Sequence, residues 1–477
     1  MKVSVKRVLC LISALLLVFA LTACGGGDDD SSTNSSAASG TSSKKENVSV
    51  IDRIEIEKGS KYDDPNYSPY ANIPESSKGV TVRYATWIDH TQTEGAVPLA
   101  NFFNDTGIHI ELYTVKQSGY VNTLMTKIAA GDIPDVFISN EGDQAFPLTM
   151  QIAAPINKVS TVDLEDPRWD KTICATGTIE GNVYLVNTLG TPWTGSNLVF
   201  FNKTLFEENG FKSPKDYYDE GTWTWDNMLK CAKEIKSLGS DYKGIAIGST
   251  GREMDILCGA VGTSFIKYDY KTHTFSSGVN DQNLLRGMQW YADAKEQGIL
   301  DGSFSYFTKG KCGIAIRGPY GLKNTGYFKD MNPEDVGFTY LPAFEEGEKG
   351  LVSAIYGMHG IIENCPNPDA AGYWIRYWLD YNNYDLNNTF LTIEAGDFYY
   401  ELINTVADEK YFTFDDPCAY LIGEQYGRDA FWKPALDSSS AGMKTAIDSV
   451  SNKVDLAVKA ANDLMAKKIA ADKLKYK

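Results

Sequence analysis

The chain has only four histidines in 477 residues, and none of its eight cysteines stands in a C-x-x-C spacing. A zinc or other His/Cys metal centre has no framework here. The sequence also lacks G-x-S-x-G, H-E-x-x-H and G-x-x-x-x-G-K-S/T, so the local motifs of serine hydrolases, zinc peptidases and P-loop enzymes are missing. Basic residues are outnumbered, 45 Lys and Arg against 62 Asp and Glu, for a formal charge of −17. That balance excludes the basic face that nucleic acid or an anionic membrane surface requires. No period of 20 to 50 residues repeats, which disfavours solenoids and repetitive surface proteins. Beyond the first two dozen residues no apolar run is long enough to span a bilayer. Six cysteines lie in the body, Cys174, Cys231, Cys258, Cys312, Cys365 and Cys418. Their irregular spacing is compatible with disulfides in an exported chain or with small buried thiols.

What is present begins at the N-terminus. Lys2, Lys6 and Arg7 precede an apolar run from Val8 to Leu21, followed by Leu21-Thr22-Ala23-Cys24 and then Gly25-Gly26-Gly27-Asp28-Asp29-Asp30. A charged start, a short apolar core and small residues before a break describe an export signal over 1–23. The Leu-Thr-Ala-Cys box resembles that of bacterial lipoproteins, which implies that Cys24 takes the lipid and becomes the mature N-terminus. Removal of the three cations takes −17 to −20. Residues 24–46 are mostly Gly, Ser, Thr, Ala and Asp with little to bury and read as a solvated tether. Residues 47–78 form an extension, broken by Pro65, Pro69 and Pro74, that is expected to lie over the folded body without a core of its own.

The remaining 400 or so residues suffice for two domains. Strand, helix, strand, helix, strand follow one another from Val80 to Ser139, with apolar pairs at helical spacing and Gly107 and Gly131 as stops. This alternation implies a parallel sheet with helices on both faces. It resumes at Leu198–Asn202, continues through a helix from Trp225 and strands at 244–248, 312–317, 336–341 and 360–363, and ends in a long amphipathic helix. That helix repeats Met443, Ile447, Val450, Val454, Ala457, Ala461 and Leu464 in steps of four and three. Asn202 is read as an N-cap, Asp226 as a first-turn acid, and Trp223 or Trp225 as a plug between helix and sheet.

Six short motifs then fall in one order. They include Phe103-Asn104-Asp105-Thr106-Gly107-Ile108, Ile128-Ala129-Ala130-Gly131-Asp132-Ile133-Pro134-Asp135-Val136, the Gly181 to Tyr184 segment, Phe201-Asn202-Lys203-Thr204-Leu205-Phe206 with Gly210, Trp223-Thr224-Trp225-Asp226, and Phe307 to Tyr320. Together, from Val80 to about Lys467, they resemble family 1 extracellular solute-binding proteins, the maltose and oligosaccharide receptors of bacterial ABC importers. The resemblance implies an α/β, two-lobed periplasmic-binding-protein-like fold of type II, with discontinuous lobes, a hinge and an interlobe cleft. It places one lobe at 79–193 and 356–424, the other at 194–355 and 425–477. It also implies a monomeric receptor, not an enzyme, without cofactor or metal, that captures a mono- or oligosaccharide and delivers it to ABC permease subunits. The protein would sit on the extracytoplasmic face of the cell membrane, held by its lipid alone. A peptide, polyamine or phosphorylated small molecule is the alternative ligand, and a glycoside-active surface enzyme the alternative activity.

A neutral sugar needs flat apolar surface for its C–H face and polar side chains for its hydroxyls, supplied by loops at the carboxyl ends of strands. The residues that meet this description are Trp87 and Asp89 after the first strand, Glu141 and Asp143 after the 135–139 strand, and Trp193 before the first crossover. Arg317, Tyr320 and Trp432 meet it in the second lobe. Relatives often carry Trp where this chain has Tyr320. His90 and His359 are weaker candidates, and the Pro134-Asp135 turn is read as structural.

Overall fold

The computed structural model describes residues 56–92, 96–116, 119–139, 146–187, 197–248, 254, 257–301, 303–354, 358–381, 390–407, 412–414 and 429–476. The expected signal, Cys24, the tether and Cys418 lie outside them.

The first sheet has the strand order His109–Thr114, Thr81–Thr86, Val136–Ser139, Met358–Ile362, Ala153–Ala154, with Leu185–Val186 also paired to Met358–Ile362. The first three strands run parallel, joined by the helices Ala96–Thr106 and Tyr120–Ala129. Met358–Ile362, from far along the chain, inserts antiparallel beside Val136–Ser139. Period-two alternation sends Val82, Tyr84 and Val136 into a cluster with Trp374, while Ala85 and Phe137 face the other side. Both faces are therefore covered, as a sheet with a parallel core requires.

The second sheet runs Leu300–Asp301, Lys243–Ala246, Cys312–Arg317, Leu198–Asn202, Val336–Thr339. Leu198–Asn202 is antiparallel to both neighbours. The two sheets make the two-lobed α/β architecture. Each uses a glycine in the same way: a Cβ on Gly360 would sit 2.4 Å from the Phe137 ring, and one on Gly337 would sit 2.2 Å from the Phe201 ring. In both places the large ring lies directly across the ladder from the missing side chain.

Local chemistry follows the sequence closely. Asn202 accepts from the Leu205 amide at 3.1 Å and caps its helix. Thr224 caps Trp225–Lys236, with Asp226 in the first turn. Trp223 and Trp225 are both buried, their indoles donating to the carbonyls of Tyr340 and Pro342. Asp135 is wholly buried and accepts from the amides of Arg83 and Asn367, both at 2.9 Å. It thereby ties the first strand to the segment leading into the Pro368–Tyr381 helix, and burial raises its pKa above the usual carboxylate value.

The extension lies along the first lobe from residue 56. Tyr62, Tyr67 and Tyr70 donate to Asp163, Asp166 and Asp380. Beneath them Arg376, only 5 % exposed, bridges Asp166 and Asp380.

Two expectations change. The 356–424 span does not pack as one piece: Pro368–Tyr381 covers the first sheet, but Ile393–Ala407 lies on the second. There Phe398 meets Phe338 and Tyr340, whose hydroxyl reaches Glu401 at 3.1 Å. The two helices therefore serve different sheets, and periodicity gives no hint of which sheet an amphipathic helix will cover. In the last helix, Met443–Lys475, the buried stripe runs as expected to Ala461, then passes through Met465, Lys468 and Asp472, leaving Leu464 half-buried. Steps of four and three average 3.5 residues against 3.6 per turn, so a straight helix must insert an extra step of four. The five described cysteines in the body are free thiols.

Candidate functional site

The carboxyl ends of Thr81–Thr86 and Val136–Ser139 share an edge with the start of Met358–Ile362, because Met358 pairs with Ser139. Leu185–Val186 leaves the sheet toward that same edge, Val186 lying opposite His359. In the second sheet Arg317 pairs with Leu198, which puts Asn197, the carboxyl end of Cys312–Arg317 and the exit of Val336–Thr339 on one edge. The chain passes from 187 to 197 and from 340 to 358 between these edges. Both crossovers thus leave and arrive where parallel strands end, the usual place for a ligand in open α/β sheets.

On the first lobe, Trp87 follows the strand directly, half-buried, its ring edge-on to Tyr120 at 5.2 Å. Asp89 is exposed and accepts from the backbone and hydroxyl of Thr91, so its carboxylate is held by an Asx turn at the rim. His90 is buried beneath them, Nε2 lying 3.3 Å from the Thr86 hydroxyl and the ring edge-on to Trp378 at 4.6 Å. His359 lies deeper, with the Tyr84 hydroxyl 2.9 Å from Nε2 and no partner for buried Nδ1. Burial pulls the pKa of His90 down to about 4 and that of His359 to about 3, the second helped by His90 itself. Both are neutral core groups, not ligand contacts.

On the second lobe Arg317 lies flat on the Phe304 ring, 3.3 Å from its centre, with Tyr327 at 5.3 Å on its way to solvent. Tyr320 is half-buried, donates to the Thr325 carbonyl at 2.9 Å and meets Tyr327 edge-on at 5.3 Å. The result is a guanidinium held between rings, beside two phenols at a strand end. Stacking fixes the guanidinium plane, in which its N–H groups lie, and such a fork suits hydroxyl or carboxylate oxygens. Phe304 and Tyr327 were not anticipated from sequence. Tyr327, 47 % exposed, stands seven residues beyond Tyr320, and that proximity was the only available signal.

Trp432 is a correction. It is wholly buried, edge-on to Phe265 at 4.7 Å, within the core that also holds Phe431. Its ring is enclosed by the core and forms no floor beside Tyr320; the Asp429–Leu436 helix that carries it packs on the Met443–Lys475 helix. Glu141, Asp143 and Trp193 lie outside the described residues. A cavity of about 810 Å³ lies elsewhere, lined by Trp169, Lys171, Glu180, Tyr270 and His273 among others, and none of the expected residues reaches it. Its walls combine the Lys171–Thr176 helix and the paired strands Thr178–Ile179 and Asn182–Val183 with Tyr270 and His273, and Glu180 in its lining pairs with Lys473 outside it. The strand edges are the stronger candidate because the ring and guanidinium cluster lies there and not in the cavity.

The profile of the bacterial extracellular solute-binding protein family matches residues 81–381. Among curated proteins, binding proteins of Brucella abortus and Brucella suis are 25 % identical over 283 residues, 56 % of this chain and 63 % of theirs. Among solved structures, a transporter-associated binding protein of B. animalis subsp. lactis in complex with β-1,6-galactobiose is similar over 80 % of this chain and 98 % of its own, with a TM-score of 0.58 and 16 % identity. The GacH receptor of Streptomyces glaucescens, known unliganded and with acarbose, is similar over 82 % and 98 %, with a TM-score of 0.54 and 15 % identity.

Proposed function

Since the chain belongs to the bacterial extracellular solute-binding protein family, we propose that it captures a carbohydrate between its lobes and hands it to an ABC importer, while tethered outside the membrane through lipid on Cys24. The observation that carries the sugar is the cluster of Arg317, Tyr320, Tyr327 and Phe304 at a strand edge of the second lobe, with Trp87 and Asp89 at the strand edge of the first. Rings offer the apolar face, and the guanidinium and carboxylate offer a donor and an acceptor, which together match the two surfaces of a pyranose. Sugar hydroxyls point in several directions, so one lobe cannot satisfy them all while excluding water, and closure of both over the ligand follows. Relatives in complex with galactobiose, maltose and mannitol agree with this class.

Calorimetric titration of the chain from Gly25 onward against maltose, galactobiose, mannitol and tagatose tests the reading. A saturable dissociation constant in roughly the micromolar range is expected for at least one class of sugar. Silence across a broad carbohydrate panel, with binding of a peptide or polyamine, would replace the ligand. Trp87→Ala should then weaken the sugar about ten- to hundredfold, ~1.4–2.8 kcal/mol, with little change in melting, since its ring is half exposed at the rim. Cys24→Ser should abolish acylation, read by mass spectrometry, and release the protein from membranes; retention of acyl chains would refute the anchor.

A further inference from the structure

The Met443–Lys475 helix is one rod of 33 residues, about 50 Å long, and it touches both lobes. Over its first two thirds it packs on second-lobe elements, and Asn462 grips the Thr274–Ser277 strand by bonding both the amide and the carbonyl of Phe275, at 2.9 and 3.0 Å. Beyond that point, among the described residues, every polar side-chain partner outside the helix itself belongs to the first lobe. Lys468 donates to the Ala153 carbonyl at 3.0 Å and pairs with Asp472 at 3.4 Å, and Asp472 accepts from the Tyr184 hydroxyl. Lys475 and Tyr476 both reach Glu363. Lys468 and Asp472 are 6 % and 7 % exposed and occupy the helix's buried stripe, where an apolar residue would serve packing as well.

We infer that this end of the helix is a clamp: a noncovalent link between the lobes, additional to the chain crossovers, that limits how far they open. Apolar contacts tolerate sliding, whereas a buried ion pair with a fixed carbonyl and phenol partner is satisfied in one register and costly in others. Because Asn462 is fixed to one lobe and Lys468 to the other, any change in lobe angle must bend the rod within those six residues or break the clamp. The two-lobed fold alone carries this inference; only its effect on affinity rests on the sugar-receptor reading.

The experiment needs no ligand. Asp472→Ala leaves Lys468 buried without its carboxylate and should release the clamp. Hydrogen exchange of residues 466–476 should rise about tenfold or more, exchange over 443–461 should stay as in wild type, and solution scattering should show a larger, broader distribution of dimensions. Lys468→Met with Asp472→Leu, which restores a neutral packed interface, should reverse both changes. If Asp472→Ala also loosens 443–461, the folding effect has spread, and Tyr184→Phe, which removes only the phenol donor, takes its place with the same expected readouts. Scattering identical to wild type, despite faster exchange at 466–476, would overturn the clamp, because the helix end would then come free without moving the lobes. Affinity for a sugar found by the panel is measured separately, so a panel without a hit sinks the ligand reading and leaves the clamp test intact.

Discussion

Trp432→Ala is expected to cost the fold about 3–5 kcal/mol, the range for removing a large buried aromatic and leaving a cavity. The side chain is wholly buried, and its neighbours Phe265 and Phe431 are fully buried too. Phe431 shares the Asp429–Leu436 helix with Trp432, and Phe265 directly precedes the Ile266–Asp269 strand, so neither is free to move in and fill the space. The indole Nε1 has no hydrogen-bond partner, so the loss is one of packing and desolvation, with no bond broken. Trp432→Phe should therefore cost far less than the alanine variant, because it keeps most of the ring and removes an unsatisfied buried N–H. Denaturant unfolding followed by circular dichroism, with sugar titration alongside, decides the matter. A normal unfolding midpoint with lost affinity would return the ring to the cleft; a large loss of stability places it in the core.

Acid should weaken the first lobe through its two buried histidines. His359 and His90 have folded pKa values near 3 and 4, against an unfolded value of 6.5. Their neutral forms are the folded ones, so their contribution is complete above about pH 6.5 and is lost as pH falls, when the unfolded chain takes up protons the folded chain refuses. Each loses roughly 1.4 kcal/mol per pH unit in that window. Asp170 acts in the opposite sense. Burial raises its pKa to about 6 although it caps the Lys171–Thr176 helix, so between about pH 6 and 4 it gains stability as pH falls and offsets one histidine. Asp135, whose pKa burial also raises, acts in the same sense, so between pH 6 and 4 the wild type should lose stability with falling pH less steeply than the ~2.8 kcal/mol per unit that two such histidines alone would give. His359→Gln, which can still accept from Tyr84, should flatten that slope. A stability curve level from pH 7 to 4 in the wild type would show that neither histidine is held neutral.

Much of the candidate site was legible because its residues sit at strand ends, which are fixed by local pattern. Trp87 and Arg317 each follow an alternating or apolar run closed by a polar turn, and such runs place their next residue at a sheet edge whatever the fold. Trp432 was misjudged for the complementary reason. It lies in a short helix, and a helix carries an aromatic equally well toward core or cleft. Phe304 and Tyr327 were missed because their meeting with Arg317 depends on three segments that converge only in space.

The sequence by itself determined the alternation of strands and helices from Val80 to Ser139, the cap at Asn202, the structural turn at Pro134-Asp135, and the buried stripe on the last helix as far as Ala461. These are set by interactions within a few residues, where backbone geometry and side-chain period leave little choice. Tertiary structure alone decided that Met358–Ile362 enters the first sheet antiparallel, that Ile393–Ala407 joins the second lobe, and that Lys468 and Asp472 belong inside. Each of those depends on partners 60 to 320 residues away, and local periodicity states only that a face must be buried, never against what.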